Sequence, residues 1–181
     1  INMIDRSVVE KEGYAIYSSA FRSYDNIILK MQSKEVFIKE LKGEWEFWGV
    51  YFKEKLIGYS QNKIGDSCCN YSTIKIHPAY KRMYPSYALF FMMNKYYLNH
   101  QKLKYVTDGA RSLAHQSNIQ EFLIKKFKFR KAFCILHVLY SPFIKRSVCL
   151  LYPFRDLFFL VRIPFFKKIG LVLKQEEIIR N

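Results

Sequence analysis

Covalent and metal cross-links have little to work with in this chain of 181 residues. Its four cysteines, Cys68, Cys69, Cys134 and Cys149, include one adjacent pair and no C-x-x-C, which argues against a zinc site and against a disulfide framework. No metal is expected, and a reducing, cytoplasmic setting is. With only 7 glycines and 5 prolines there are no internal repeats and no low-complexity linkers. No apolar run approaches the ~18 residues of a membrane-spanning helix. Ile1 to Gly13 shows neither the basic nor the apolar part of a secretory leader, so none is expected. Acidic residues are also scarce, 15 against 30 Lys and Arg, for a formal net charge of +15. That excess favours acidic partners: phosphate-rich cofactors, anionic lipid or RNA.

What the chain has is apolar and aromatic surface. At 50% hydrophobic and 18% aromatic residues, general disorder is excluded and a real core can be buried. Tyr14, Tyr17, Phe21 and Tyr24 recur at helical spacing. Ser33 is placed to cap a second helix over Lys34 to Lys42 that stops at Gly43, with Phe37 and Leu41 facing inward. Residues 47–52 and 56–61 predict a hairpin, and alternation from Tyr71 predicts a strand that ends at Pro78. Pro85 suits the first position of the nearly all-apolar helix that follows, to Leu98. A short strand is expected over 104–108 and an amphipathic helix over 117–127, where Ser117 and Gln120 have capping-box spacing. Ala132 to Tyr140 reads as a last strand.

The stretch Pro78-Ala-Tyr-Lys-Arg-Met-Tyr-Pro-Ser-Tyr-Ala-Leu89 lies in register with the segment that carries the acyl-CoA pyrophosphate in GNAT N-acyltransferases, and resembles a degenerate copy of it. Lys81 takes the basic position. Tyr84 and Ser86 stand where the family has glycines, and Pro85 between them has no N–H. A second family pattern falls on Asn118, Ile124, Lys128 and Phe129, with Ile124 where many relatives carry a tyrosine that protonates the departing thiolate.

The resemblance implies an α/β fold: a GNAT-like mixed central β-sheet flanked by helices, with a C-terminal helical tail. Residues 1–140 would form the acyltransferase domain and 141–181 a basic, aromatic-rich helical tail. The first strand of the family's sheet is expected upstream of Ile1. The activity implied is transfer of an acyl group, acetyl in the first instance, from acyl-CoA to an amine on a small molecule or sugar. Co-substrate contacts are implied at Lys81, Arg82, Met83, Tyr84, Ser86, Tyr87 and Ala88, with Ile76 on the strand before and Asn118 after. Two alternatives stay open. A catalytically inactive GNAT-fold binding module would explain Tyr84, Pro85, Ser86 and Ile124. A Fem-like aminoacyl-tRNA-dependent transferase would suit the charge of +15.

Thr107 to Asn118 is the most polar cluster. In a GNAT-like sheet the strands carrying Ile76 and Asp108 splay apart around the thioester. Asp108 could then orient His115 as the base that takes the amine proton, while Arg111 holds an acidic group on substrate or cofactor. Plainer readings compete: Asp108-Gly109 as a turn, Ser117 as a cap, Arg111 as the partner of Asp108. His77 and His137 read as structural, and the aromatic helix from Tyr87 to Tyr97 as core.

From Ser141 onward eight basic residues stand against three acidic ones, and Pro153 and Pro164 cut the tail into short helices. Phe154, Phe158, Phe159, Phe165 and Phe166 beside these cations suit an anionic membrane surface. Helices packed on the domain, or on a second subunit in an oligomer, suit the same pattern.

Overall fold

A computed structural model describes residues 1–24, 30–109, 119–133, 135–160 and 163–180. The chain forms two compact units, Ile1–Asp25 with Lys30–Ala110, and Asn26–Leu29 with Arg111–Asn181.

The first unit is built on a five-stranded sheet in sequence order: β1 (Asn2–Ile4), β2 (Glu46–Phe52), β3 (Lys55–Ile64), β4 (Cys68–Ile76) and β5 (Tyr105–Thr107). Every neighbour pair is antiparallel except β4 with β5, which makes the sheet mixed. The first strand expected upstream of Ile1 therefore lies inside the chain, where Ile4 pairs with Phe47. Three residues are too few for alternation to reveal a strand.

On one face of the sheet lie α1 (Arg6–Val8), a π-helical turn (Val9–Gly13), α2 (Tyr14–Arg22) and α3 (Lys34–Glu40). Val9, Ile16, Tyr17, Phe37 and Leu41 bury themselves there against Phe47, Leu56 and Tyr59. Ser33 caps α3 as expected, its Oγ accepting from Val36 N–H at 3.4 Å. The other face is covered by α4 (Pro85–Asn94) and its π-helical continuation (Lys95–His100), which bury Leu89, Phe90, Met93 and Tyr97. The helix meets the sheet through that flank, while Tyr87, Phe91 and Leu98 on the others are exposed.

Tyr97 holds this face together. Its hydroxyl accepts from Trp48 Nε1 (2.9 Å) and Asn62 Nδ2 (3.1 Å) and donates to Glu46 Oε2 (2.9 Å). Those bonds occupy the phenol's donor and acceptor capacity at a site with no access to water.

The second unit holds α5 (Ile119–Phe127), α6 (Pro142–Leu151), a 3₁₀ turn (Tyr152–Phe154), α7 (Leu157–Leu160) and α8 (Pro164–Arg180). Leu123, Val148 and Leu173 are its buried apolar residues among those described, and Arg155 and Arg180 both lie over the ring of Tyr152 while pairing with Glu177 and Glu176. The strand expected over 132–140 is not formed among the described residues. Phe133, Ile135 and Leu139 are 93%, 82% and 99% exposed. Alternating apolar residues make a strand only where a neighbouring strand pairs with them, and none does here.

Candidate functional site

The ladder between β4 and β5 is short. Cys68, Cys69 and Asn70 pair with Tyr105, Val106 and Thr107, and there the pairing stops, while β4 runs on to Ile76. From Tyr71 to Ile76 the backbone groups on the β5 side have no strand partner among the described residues. Such a fork between parallel strands offers free N–H and C=O groups to an extended ligand.

Asp108 follows directly after β5, at the crotch of this fork. It is partly buried, and loss of hydration pushes its carboxyl from the ordinary 3.8 up to about 6. Gly109 then turns the chain in the left-handed region (φ 71°), its N–H bonded to Thr107 Oγ1 at 3.1 Å. A Cβ on Gly109 would come within 3.5 Å of Asn70 Oδ1, a buried acceptor with no hydrogen-bond partner among the described residues. Asn70 was not singled out by sequence. An asparagine in a strand gives no signal until its neighbour across the ladder is known.

The other limb of the fork is shaped by close approach. Gly58 of β3 faces Ile76, where a Cβ would collide with Ile76 Cδ1 and stand 3.0 Å from the Lys75 carbonyl. Ile76 is buried at the end of β4, and His77, whose Nδ1 accepts from Ala79 N–H at 3.3 Å, starts the 3₁₀ helix Pro78–Met83. His77 is thus structural, as its place before proline implied, and its part is that of a cap.

Tyr84 closes that turn in the left-handed conformation (φ 54°, ψ 41°) that glycine would adopt without strain. The bend of the resembling segment is therefore kept without its glycine. Pro85 opens α4 with no N–H, and Tyr87 N–H is already bonded to the Tyr84 carbonyl at 3.0 Å. Ser86 remains as the first free donor at a helix start whose dipole favours an anion. Arg82, Met83, Tyr84, Tyr87 and Ala88 are all exposed around it. Lys81 is exposed too, with its ammonium 3.3 Å from Ser23 Oγ and over the ring of Tyr24. Together they offer an anion fewer donors than a glycine-bearing loop would supply.

Cys69 is fully buried, and burial pushes its thiol up to about 12. No group of His, Cys, Asp and Glu suited to a metal ion occurs among the described residues. Arg111, His115 and Asn118 lie outside the described residues.

No family model matches the sequence, and no curated protein is similar to it. Solved structures are. The chain is similar to a ribosomal-protein-alanine N-acetyltransferase from Brucella melitensis biovar Abortus 2308, with a TM-score of 0.57 and 9% identity over 77% of this chain and 98% of that one. It is similar to an aminoglycoside acetyltransferase from an uncultured soil metagenomic sample, crystallised with sisomicin, at TM-score 0.54, 10% identity and 77% and 93% coverage. It also matches an aminoglycoside 6'-N-acetyltransferase from Acinetobacter haemolyticus at TM-score 0.51, 10% identity and 78% and 99% coverage. The fold is that of the GNAT acetyltransferases, as the segment from Pro78 to Leu89 implied.

Proposed function

We propose that the first unit is an N-acyltransferase of the GNAT type, moving an acyl group, most simply acetyl, from acyl-CoA to a small-molecule amine. The observation that carries this reading is the fork between β4 and β5 with Asp108 at its crotch. A carboxyl titrating at about 6 is ionised at neutral pH and is a stronger base than an ordinary aspartate. Asp108 takes the proton from the acceptor's ammonium or attacking amine, the nitrogen bonds to the acyl carbon, and the carbon–sulfur bond breaks to release the thiolate of CoA. Ile76 and the free backbone edge of β4 hold the acyl arm, while Ser86, Lys81 and the helix start hold phosphate. Thiol release from acetyl-CoA across a panel of amines tests the reading. Release that depends on both the amine and Asp108 supports it, and release with no amine dependence contradicts it.

For the second unit, the exposed side chains favour attachment to an anionic lipid surface. No described helix is long and apolar enough to cross a membrane. Phe143 is 80% exposed, Leu160 77% and Phe165 66%, and Lys145, Arg146, Lys167 and Lys168 lie beside them in sequence. Aromatic insertion with cations among headgroups suits this composition. In sedimentation with vesicles containing phosphatidylserine the full chain pellets, and the double variant Phe143→Asp, Phe165→Asp stays in solution. Equal partition of both proteins contradicts the attachment.

A further inference from the structure

We propose that Lys75, beside Lys81 at the ring of Tyr24, binds an anionic group carried by the acceptor, so that the amine acylated here also bears a phosphate or carboxylate. The inference rests on reading the first unit as an acyl-CoA-dependent transferase and adds the class of its acceptor.

Two ammonium groups lie by one aromatic ring. Lys75 Nζ lies 5.2 Å from the Tyr24 ring centroid and Lys81 Nζ 5.8 Å, with Lys75 also 3.4 Å from the Tyr24 hydroxyl and Lys81 3.3 Å from Ser23 Oγ. Among the described residues neither lysine has a carboxylate within ion-pair distance. Like charges brought together repel, and the negative face of a tyrosine offsets only part of that repulsion. Each ammonium has three donors and uses few of them here. A ligand anion supplies both the missing charge and the missing acceptors.

The position of Lys75 says which substrate carries that anion. The register of β3 and β4 shifts at Ser72, so that Tyr71 pairs with Asn62 and Thr73 with Gln61. The extra residue of a bulge switches the faces that follow it. Tyr71 packs on Phe90 and Tyr97 of the helix covering one face. Lys75 pairs with Tyr59 and meets Tyr17, on the face covered by α2. The co-substrate's phosphates are read at the start of α4, which covers the opposite face. A charge-binding site on the α2 face at the end of β4, centred on Lys75, therefore serves the other substrate, while Lys81 in the bend stays with the co-substrate's phosphate.

The test compares matched acceptors in the acetyl-CoA thiol-release assay: phosphoethanolamine against ethanolamine, and β-alanine against propylamine. The anionic member of at least one pair is expected to have about tenfold higher kcat/KM, with the phosphate and carboxylate pairs telling the two chemistries apart. Lys75→Gln should erase that preference and Lys75→Arg should keep it, while CoA affinity by calorimetry stays unchanged in both. Equal rates within both pairs overturn the proposal. So does a loss of CoA affinity in Lys75→Gln, which would assign the anion to the co-substrate. If no amine is acylated, the transferase reading fails and the site is judged alone, from the amide resonances of Tyr24 and Lys75 during titration with inorganic phosphate. Saturable shifts that Lys75→Gln abolishes keep the anion site, and their absence overturns it.

Discussion

Asn70 is the last residue of β4 to pair with β5, and its partner Thr107 is the residue before Asp108. The point at which two parallel strands separate thus coincides with the one carboxyl among the described residues that burial has moved towards neutrality. A sheet edge that opens beside such a carboxyl suits the proposed amine acylation on chemical grounds, since acyl donor and proton acceptor must meet within a few ångströms.

Asp108→Asn is expected to lower turnover by ~100-fold, the scale of losing a general base. The wild-type kcat/KM should rise with pH through an inflection at about 6, and the variant should lack that inflection. His115→Ala in the same assay tests the imidazole: a comparable loss makes the ring the proton acceptor with Asp108 orienting it, and an unchanged rate leaves Asp108 as the base.

The same carboxyl makes stability depend on pH. Its native pKa lies above the unfolded value of 3.8, so the folded protein binds the proton more tightly than the unfolded chain. The resulting stabilisation is present below pH 3.8 and is lost as pH rises through about 6. Asp108→Asn should therefore melt above the wild type at pH 8, with the gap closing towards pH 4. A gap that does not vary with pH would contradict burial of the charge.

Tyr84 is 67% exposed and left-handed, so little packing opposes its replacement by glycine. Tyr84→Gly relieves strain of about 1 kcal/mol, part of which the freer unfolded chain offsets. Urea titration should show a gain of about 0.5 kcal/mol, and calorimetry a tighter fit to CoA as backbone approach becomes easier.

Tyr97→Phe removes the acceptor of two buried donors, Trp48 Nε1 and Asn62 Nδ2, and leaves Glu46 without its phenol partner. A loss of about 1 to 3 kcal/mol is expected in denaturant titration. A loss below 0.5 kcal/mol, roughly the floor for a net hydrogen bond, would mean that water replaces the hydroxyl.

Much of this was written in local patterns. The strand from Tyr71 to Ile76, the break at Pro78 and the helix from Pro85 follow from β-branched alternation and two prolines whose ring geometry permits little else, whereas Cys68 to Asn70 extend that strand where β5 pairs with it. Ser33 and Phe37 announce α3 in the same way. Other features depend on partners far along the chain. β1 is a strand only because β2 pairs with it, and 132–140 carries a strand's alternation without a strand's neighbour. The side of the sheet that Lys75 takes depends on the bulge at Ser72, which turns it towards Tyr17 and Tyr24. The polarity of Thr107 to Asn118 pointed to Asp108, yet its shifted titration comes from burial, which no spacing encodes.

Calorimetric titration of the full chain with acetyl-CoA tests the transferase reading most directly. It is expected to show one saturable site with a dissociation constant of ~10 μM to 1 mM, in the range of ordinary enzyme substrates, and Lys81→Glu should weaken it. No saturable heat at ~1 mM ligand would contradict the account and leave the GNAT fold serving as a binding module without acyl transfer.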